Sequence, residues 1–232
     1  SLVVKSFNHI FLGGNSSIYT ESKGSGSSGI IDVESNYIEM RGGGVGSAAG
    51  IYSFSDLKGG SSGSITLLGK RGLSLYGNAE IISSSEGAMR AGNLNISGES
   101  IRLIGSDKGG SRIMAAALGS APSGEITLRS GGAVKIMQGS SISSISAFNG
   151  GGNIDIRAGS LGLYSYGVGA PSTIDTSSIG DSSAGSINVS VRGWLNALGD
   201  SRIGTFAKNG IEGRGLGDTG NILIRAGNIR IN

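Results

Sequence analysis

The residues best suited to catalysis are two carboxylates that lie close together in the sequence. Asp32 and Glu34 flank Val33, so on an extended strand both carboxylates face the same side. A carboxylate pair hydrolyses glycosidic bonds when the two groups lie on either side of a sugar linkage. The aligned positions in the following sequence repeats are Thr66/Leu68, Asn95/Ser97 and Thr127/Arg129. Because the acidic residues do not recur, the sequence predicts no acidic groove and no enzyme.

Metal and nucleophile chemistry have few candidate residues. His9 is the only histidine, and the chain contains no cysteine. A metal site of histidines or thiolates is therefore excluded, and a triad would need a serine and a carboxylate that the fold brings to His9. Gly150–Asp155 and Gly217–Gly220 partly match the repeats that bind calcium in β-rolls, but the tandem nine-residue repetition is missing. We expect no catalytic residue, no cofactor and no bound metal.

Basic side chains recur at equivalent positions of the sequence repeats and could bind an acidic ligand. One set is Arg129, Arg157 and Arg225, and a second set is Arg102, Lys135 and Arg230. Two interpretations remain open. The sets could form a basic stripe for acidic glycans, or they could be solvated charges that discourage lateral aggregation of the strands.

Isolated ring side chains could contact a sugar or fill space. Tyr76, Tyr164 and Tyr166 follow predicted strands, and an amphipathic ring can stack on carbohydrate. Trp194 lies where the repeat pattern is blurred, so we expect it to fill a widened core or a corner. His9 precedes a predicted strand, and we expect it on the surface or packed at a corner.

All of these residues lie within a repeated segment. Residues 152–163 read Gly-Asn-Ile-Asp-Ile-Arg-Ala-Gly-Ser-Leu-Gly-Leu, and residues 220–231 repeat this segment with seven of twelve positions identical. Each copy has a glycine, a strand with alternate apolar residues, a second glycine and a second alternating strand. Copies begin near residues 1, 29, 63, 92, 124, 152, 185 and 220. The chain is therefore a repeat protein with a period near 32 residues.

The aligned repeats contain three columns of apolar residues. The first column is Leu2/Val4, Ile31/Val33, Ile65/Leu67, Leu94/Ile96, Ile126/Leu128, Ile154/Ile156, Ile187/Val189 and Ile222/Ile224. The second is Ile10/Leu12, Ile38/Met40, Leu73/Leu75, Ile101/Leu103, Val134/Ile136, Leu161/Leu163, the blurred Trp194/Leu195/Ala197, and Ile229/Ile231. The third is Ile18, Ile51, Ile81, Ile113, Ile142, Ile174 and Ile203. Three short strands per repeat predict three stacks of parallel strands.

We therefore predict an all-β fold, a three-sided parallel β-helix of about seven and a half coils of roughly 32 residues. Residues 1–232 would form a single β-helical repeat domain. Glycines would turn the corners, through positive φ or through close approach of the backbone. The third side holds most of the length variation and several serine-rich tracts whose hydroxyls can bond between coils. If one face is functional, we expect it to be this one.

Composition excludes several other classes. The 45 glycines and 2 prolines do not fit a helical core, and a hydrophobic content of 37% does not fit a disordered linker. The net charge of +3 is spread almost evenly over the two halves, so we expect no nucleic-acid partner. The chain has no stretch of 18 apolar residues, so we expect no direct membrane insertion. The absence of cysteine suits an exported protein.

The repeat motifs resemble a known family. Gly-Asn-Ile-x-Ile at residues 152–156, an Ile-Ser-Ser tract at 82–84, and the returns Ala91-Gly92-Asn93-Leu94 and Ala184-Gly185-Ser186-Ile187 are similar to haemagglutination-repeat shafts of filamentous haemagglutinin-like exoproteins, especially long cyanobacterial members. This resemblance covers nearly the whole chain. It implies a right-handed β-helical rod on a secreted, surface-associated adhesin or fibre. The family's two-partner secretion domain has an Asn-Pro signature, which is missing here because Pro122 and Pro171 both follow alanine.

We expect a structural and interaction module, the β-helical shaft of an extracellular fibre or a cell-surface adhesin. The alternative is a glycan-binding or glycan-cleaving β-helix of the tailspike or lyase type. The first and last coils are as regular as the middle ones, with Leu2/Val4 and Ile229/Ile231 in phase. We therefore expect a fragment of a longer rod or a filament subunit. Its partners would be flanking repeats, further copies stacked end to end, and possible cell-surface glycans.

Overall fold

The structure is a computed structural model that describes residues 1–43, 46–107, 109–166, 170–180, 182–208 and 217–232. The described residues form strands and no helix, so they include no helix able to cross a membrane. The strands are β1 (Leu2–Lys5), β2 (His9–Gly14), β3 (Ser17–Ser22), β4 (Ile31–Gly42), β5 (Gly50–Ser55), β6 (Ile65–Tyr76), β7 (Glu80–Ser85), β8 (Leu94–Gly98), β9 (Ile101–Ile104), β10 (Arg112–Ala117), β11 (Ile126–Ser130), β12 (Ala133–Met137), β13 (Ser141–Ser146), β14 (Ile154–Ala158), β15 (Ser160–Ser165), β16 (Thr173–Ile179), β17 (Ile187–Gly199), β18 (Arg202–Lys208) and β19 (Ile222–Ile231).

These strands pair in parallel with the equivalent strands of neighbouring coils, which makes three stacks. The third stack is a seven-stranded sheet in the order β3, β5, β7, β10, β13, β16, β18. The first stack begins with β1 and the second with β2, and both belong to one twelve-stranded sheet. The predicted all-β parallel solenoid is confirmed, with about seven turns of about 32 residues.

The corner between the first and second stacks differs from the prediction. The sequence predicts a glycine bend between two separate strands in every coil, but β4, β6, β17 and β19 run through this corner without a break. The ladder instead shifts register, between Ser35 and Tyr37 in β4 and between Val191 and Trp194 in β17. Such a bulge turns a strand sharply and leaves the pairing on both sides intact.

Inward side chains form the predicted apolar ladders. In the third stack the fully buried members that pair directly are Ile51, Ile81, Ile113, Ile142 and Ile174. Burying one isoleucine stabilises the fold by about 2 kcal/mol relative to leaving it exposed. Each of these side chains packs on the coils above and below, so the core is continuous along the rod.

The glycine at the start of each coil is required by close backbone approach rather than by its φ angle. A Cβ atom on Gly92, Gly124, Gly152, Gly185 or Gly220 would overlap the carbonyl oxygen of the coil-start glycine in the preceding coil. Positive φ values occur elsewhere, at the turns from the second to the third stack, which contain Gly14, Gly77, Gly139 and Gly199. The coil-start glycines therefore let successive coils stack at the spacing of a β-sheet, about 4.8 Å.

Buried hydroxyls hold the coil-start glycines in place. The amide of Gly63 donates to Ser28 and Ser53, that of Gly92 to Ser62 and Ser83, and that of Gly152 to Ser123 and Ser144, at 2.6 to 3.0 Å. The two serines of each set also contact each other at 2.7 to 2.8 Å. At the intervening Gly124, the equivalent positions are Ala91 and Ala115. This coil therefore lacks both serine hydroxyls of the set, so it contains no single hydroxyl without the second one to contact.

The residue after four of the coil-start glycines bonds the next coil from outside. The side chains of Ser64, Asn93, Asn153 and Ser186 accept from the backbone N–H of Asn93, Glu125, Ser186 and Asn221, respectively, at 2.8 to 3.1 Å. This explains why the repeat reads Gly-Asn or Gly-Ser, because the glycine allows close approach and the polar residue adds one bond between coils.

Candidate interaction surfaces

The predicted carboxylate pair lies on the outward side of the first stack, as expected. Glu34 is held by two lysines, Lys70 at 2.8 Å and Lys5 at 3.3 Å. The hydrogen bonds and charges of Lys70 and Lys5 lower the pKa of Glu34 below its ordinary value. A general acid in glycoside hydrolysis needs a raised pKa instead. Glu34 therefore acts as the centre of an exposed ion-pair group.

His9 lies on the surface, in agreement with the prediction. Its ring is 6.4 Å from that of Phe11 and 6.5 Å from that of Tyr37, and all three side chains are exposed. Across the part of the chain that the structure describes, no group of three or more histidine, cysteine, aspartate or glutamate residues could hold a metal ion.

The predicted basic stripe is interrupted. Arg129 and Arg157 are direct neighbours in the first stack, but Ser190 separates Arg157 from Arg225. Asp155 lies 3.2 Å from Arg157 and 4.0 Å from Arg129, which neutralises part of their charge. An open groove of about 420 Å³ runs over Asp155, Arg157 and Arg225.

The second basic set is also divided. Arg102 and Lys135 are neighbours in the second stack, and Gly162 and Asn196 separate them from Arg230. Neither set therefore makes a continuous row of positive side chains along the rod. Each provides one adjacent cationic pair, and the fold leaves both pairs exposed to solvent.

The three tyrosines do not form one site. Tyr164 and Tyr166 stack with ring centroids 6.2 Å apart and planes 17° apart, and Tyr166 is exposed. Tyr76 lies three strands away in the same ladder, where the Arg41 guanidinium lies 5.0 Å from its ring centroid. Of these three tyrosines, Tyr164 and Tyr166 offer a stacked aromatic surface of the kind that sugars contact. Tyr52 and Phe54 form a second stacked pair on the third stack.

The prediction for Trp194 is wrong. Its side chain points outward from the second stack and is 51% exposed, while the following Leu195 is buried. Trp194 lies outward because β17 keeps its alternation through the corner, with Val191 and Leu195 both buried, although its pairing with β19 shifts register between Val191 and Trp194. Leu195 and Ala197 are the inward pair of this coil.

The outward side of the third stack carries many apolar side chains among polar ones, a feature that the sequence analysis did not predict. We call it the apolar face, and its apolar members are Tyr19, Tyr52, Phe54, Ile82, Met114, Ala116, Leu118, Ile145, Ala147, Ile179 and Phe206. Adjacent apolar residues such as Ile81-Ile82 and Ile113-Met114 were the available signal, because neighbours on a strand face opposite sides. The expectation that a functional face, if there is one, lies on this side stays a prediction.

A polar cluster lies at one border of the apolar face. Glu80 accepts hydrogen bonds from the Tyr52 hydroxyl at 3.0 Å and from Arg112 at 2.7 Å. Burial and the charge of Glu80 raise the pKa of Tyr52, so its hydroxyl stays protonated as a donor. An open groove of about 420 Å³ adjoins Glu80 and Arg112. This cluster therefore neutralises its own charges beside the apolar residues.

Asp175 is the acidic residue set into the apolar face itself. Thr173 donates to its carboxylate at 3.0 Å, and burial raises the pKa of Asp175 above its ordinary value. On the described part of this face, Glu80 is paired with Arg112 and Asp175 is partly buried beside Thr173. These two carboxylates do not face each other across a groove. The arrangement favours contact with another surface over acid–base chemistry.

Comparison with known proteins gives no relative to this chain. No family model, no curated protein and no solved structure matches it.

Proposed function

We propose that this chain is a structural and interaction module, the shaft of an extracellular fibre or a cell-surface adhesin. The observation that carries the proposal is the unbroken coil-to-coil ladder, in which every strand of the third stack pairs with its neighbours through seven coils. Backbone bonds, buried isoleucines and coil-start glycines all repeat along one axis. Such a rod spaces other parts of an assembly and resists collapse because each coil supports the next.

The outer charges are consistent with a shaft. Glu34, Asp155 and Glu80 each contact a lysine or arginine, so the acidic side chains are neutralised locally along the rod. Solvated, paired charges keep a long sheet soluble and discourage strand-edge aggregation. The resemblance of the Gly-Asn-Ile-x-Ile motif to filamentous haemagglutinin-like shafts supports the same proposal, as does the parallel solenoid, and it extends the proposal to a secreted protein of that type.

The proposed location can be tested on cells of the source organism. Antibodies raised against the rod should label intact cells or detect the protein in the medium. Brief protease treatment of intact cells should remove the surface signal without digesting a cytoplasmic control protein. Detection only after lysis, with full protection from external protease, would overturn the extracellular location.

The alternative function, glycan binding, has one specific observation in its favour. Tyr164 and Tyr166 stack with nearly parallel, partly exposed rings, which matches the apolar face of a sugar. Screening the chain against acidic and neutral glycans should be paired with the Tyr166→Ala variant, and with Tyr37→Ala as an exposed control outside both candidate surfaces. Binding lost only with Tyr166→Ala would support this function, and release of sugar fragments would establish an enzyme.

A further inference from the structure

We propose that the apolar face binds a second copy of this chain, so that two rods pair side by side and antiparallel. The two-fold axis lies between the copies and runs parallel to β10. This strand is the middle one of the seven-stranded sheet, with three strands on each side. An axis at β10 therefore superimposes the whole face of one copy on the whole face of the other. This pairing goes beyond the shaft function proposed above.

The apolar face has large side chains with water-accessible surface. Tyr19 is 60% exposed, Leu118 50%, Ile179 47% and Phe206 46%. Smaller outward residues such as Ala116 already lie sunken between their neighbours. Each strand of the seven-stranded sheet places at least one apolar side chain on this face, and concentrations of exposed apolar side chains mark interaction surfaces.

Residue sizes on the face are self-complementary about β10. The two-fold axis places each strand opposite its counterpart on the far side of β10, and residues at equal strand positions then face each other. The opposed pairs are Tyr19 with Gly204, Tyr52 with Asp175, Ile82 with Ser143, Phe54 with Ser177, and Ile145 with Ser84. Each pair combines a large side chain with a smaller one, as interdigitating sheet faces require. Met114, Ala116 and Leu118 face their own copies.

Charges do not oppose the pairing. Asp56, Glu86 and Glu21 would lie opposite Ile179, Ala147 and Phe206, so these acidic groups meet no like charge. Asp56 and Glu86 follow the ends of their strands and Glu21 is on the edge strand β3, where solvent still reaches the carboxylates. Arg112 would face its own copy, but Glu80 already neutralises it at 2.6 Å. The two Arg112/Glu80 pairs then form a four-membered charge group at the border of the interface, where solvent still reaches it.

The area is sufficient for a stable dimer. Seven strands at about 4.8 Å spacing and about 3.3 Å per residue give a face of roughly 30 by 20 Å. Pairing two such faces removes about 1,200 Å² from water in total, which is the lower limit for specific, stable interfaces. Two separate solenoid sheets can also approach to about 10 Å, the ordinary distance of packed sheets.

Sedimentation of the intact chain and two variants tests the pairing. We expect the unmodified chain to form dimers at micromolar concentration. Met114→Arg places two like charges at the axis and should raise the dimer Kd at least about 100-fold. The matched control is Asn95→Arg, an exposed position of the first stack in the same coil, which should change the Kd less than about twofold. A monomer at all concentrations, or equal effects of the two variants, would overturn the proposal.

Cross-linking tests the antiparallel register and does not depend on the fold tolerating an arginine. The chain has no cysteine, so single-cysteine variants react at one place. Leu118→Cys faces its own copy, and a short bismaleimide should join two chains. Leu57→Cys is also exposed on the same edge, but lies about 19 Å from its copy in this arrangement and should stay uncoupled. Coupling through Leu57→Cys alone would overturn the register.

Failure of the pairing is distinguishable from failure of the shaft function. A chain that stays monomeric yet reaches the cell surface would contradict only the pairing. A dimer that is found only inside cells would contradict only the extracellular shaft.

Discussion

The outward faces of the first and third stacks are formed by the same solenoid but have opposite chemistry. The first stack presents paired charges, with Glu34 held by Lys5 and Lys70. The third stack presents the apolar face and sets Asp175 among poorly hydrated neighbours. The pKa of Glu34 is lowered by its lysines, whereas the pKa of Asp175 is raised by burial. One face is thus suited to water and the other to a second surface.

This difference shows that the fold restricts the residue types at inward positions more than at outward positions. Inward positions of both stacks are restricted to apolar side chains and small hydroxyls because coils stack on them; Ile154 and Ile142 are fully buried, and the buried Ser83 accepts a hydrogen bond from Gly92. Outward positions make no such contacts, so the sequence is free to vary there. When one outward face nevertheless has an apolar side chain on each of its seven strands, the cause is to be sought outside the single chain.

The largest effect should come from a charge in the core. Ile154→Asp places a carboxylate in a dry ladder and should lower the free energy of unfolding by about 4 kcal/mol or more. The adjacent Asp155→Ser lies outward and should lower it by less than about 1 kcal/mol. Urea unfolding measures both. Equal urea midpoints for the two variants would contradict this assignment, because inward and outward positions would then tolerate substitution equally well.

A smaller but clear effect is expected at the corner that joins the third stack to the first. Gly152→Ala would push a Cβ against the carbonyl oxygen of Gly124, and should cost about 2 kcal/mol through displacement of a coil. Gly24→Ala is the control, because no atom lies within 4 Å of its Cβ. Thermal unfolding of the two variants measures the difference. Equal stability would show that the coils can separate without cost.

The buried hydroxyls should show coupling inside the third stack. Ser83→Ala leaves the Gly92 amide and Ser62 with one partner fewer, and should cost about 1 kcal/mol. In the neighbouring coil, Ala115→Ser adds a hydroxyl without its partner, and adding Ala91→Ser should recover stability. A double-mutant cycle on Ala91 and Ala115 measures this coupling. Strict additivity would mean that the two hydroxyls act independently.

The smallest effects should distinguish the two faces by their pH dependence. The lowered pKa of Glu34 gives stability that is present above its unfolded pKa and lost as pH falls through its folded pKa. Glu34→Gln should therefore destabilise slightly at neutral pH, and the difference should close in acid. For Asp175 the raised pKa has the opposite sign, because the ionised group costs stability at neutral pH.

Asp175→Asn should accordingly stabilise the chain slightly at neutral pH, and this gain should vanish as pH falls below the pKa of Asp175. Urea unfolding of both variants over the acid range would show the two trends. If both variants changed the free energy of unfolding at neutral pH in the same direction, the proposed electrostatic difference between the two faces would be wrong.

The sequence by itself determined the repeat, the three strands of each coil and the inward isoleucines. These features are local, because alternation along a strand and recurrence of Gly152 and its equivalents are visible without knowing any neighbour. The serine tracts were also recognised, although their bonding to the coil-start glycines was not. The candidate surfaces were predicted less well: the basic residues aligned as expected, but their interruption by Ser190 and Gly162 was overlooked.

Only the tertiary structure decided what surrounds each outward side chain. Asp155 becomes the partner of Arg129 because stacking brings residues 26 positions apart to adjacent strands. Trp194 faces solvent because β17 keeps its alternation through the corner, whereas β4 changes phase there, with Ser35 and Ile38 both buried. The apolar face exists only when seven strands from seven coils lie side by side, since each coil alone contributes just one to three of its side chains. Periodicity assigns residues to the inside or outside, but neighbours on the outside are set by register and stacking.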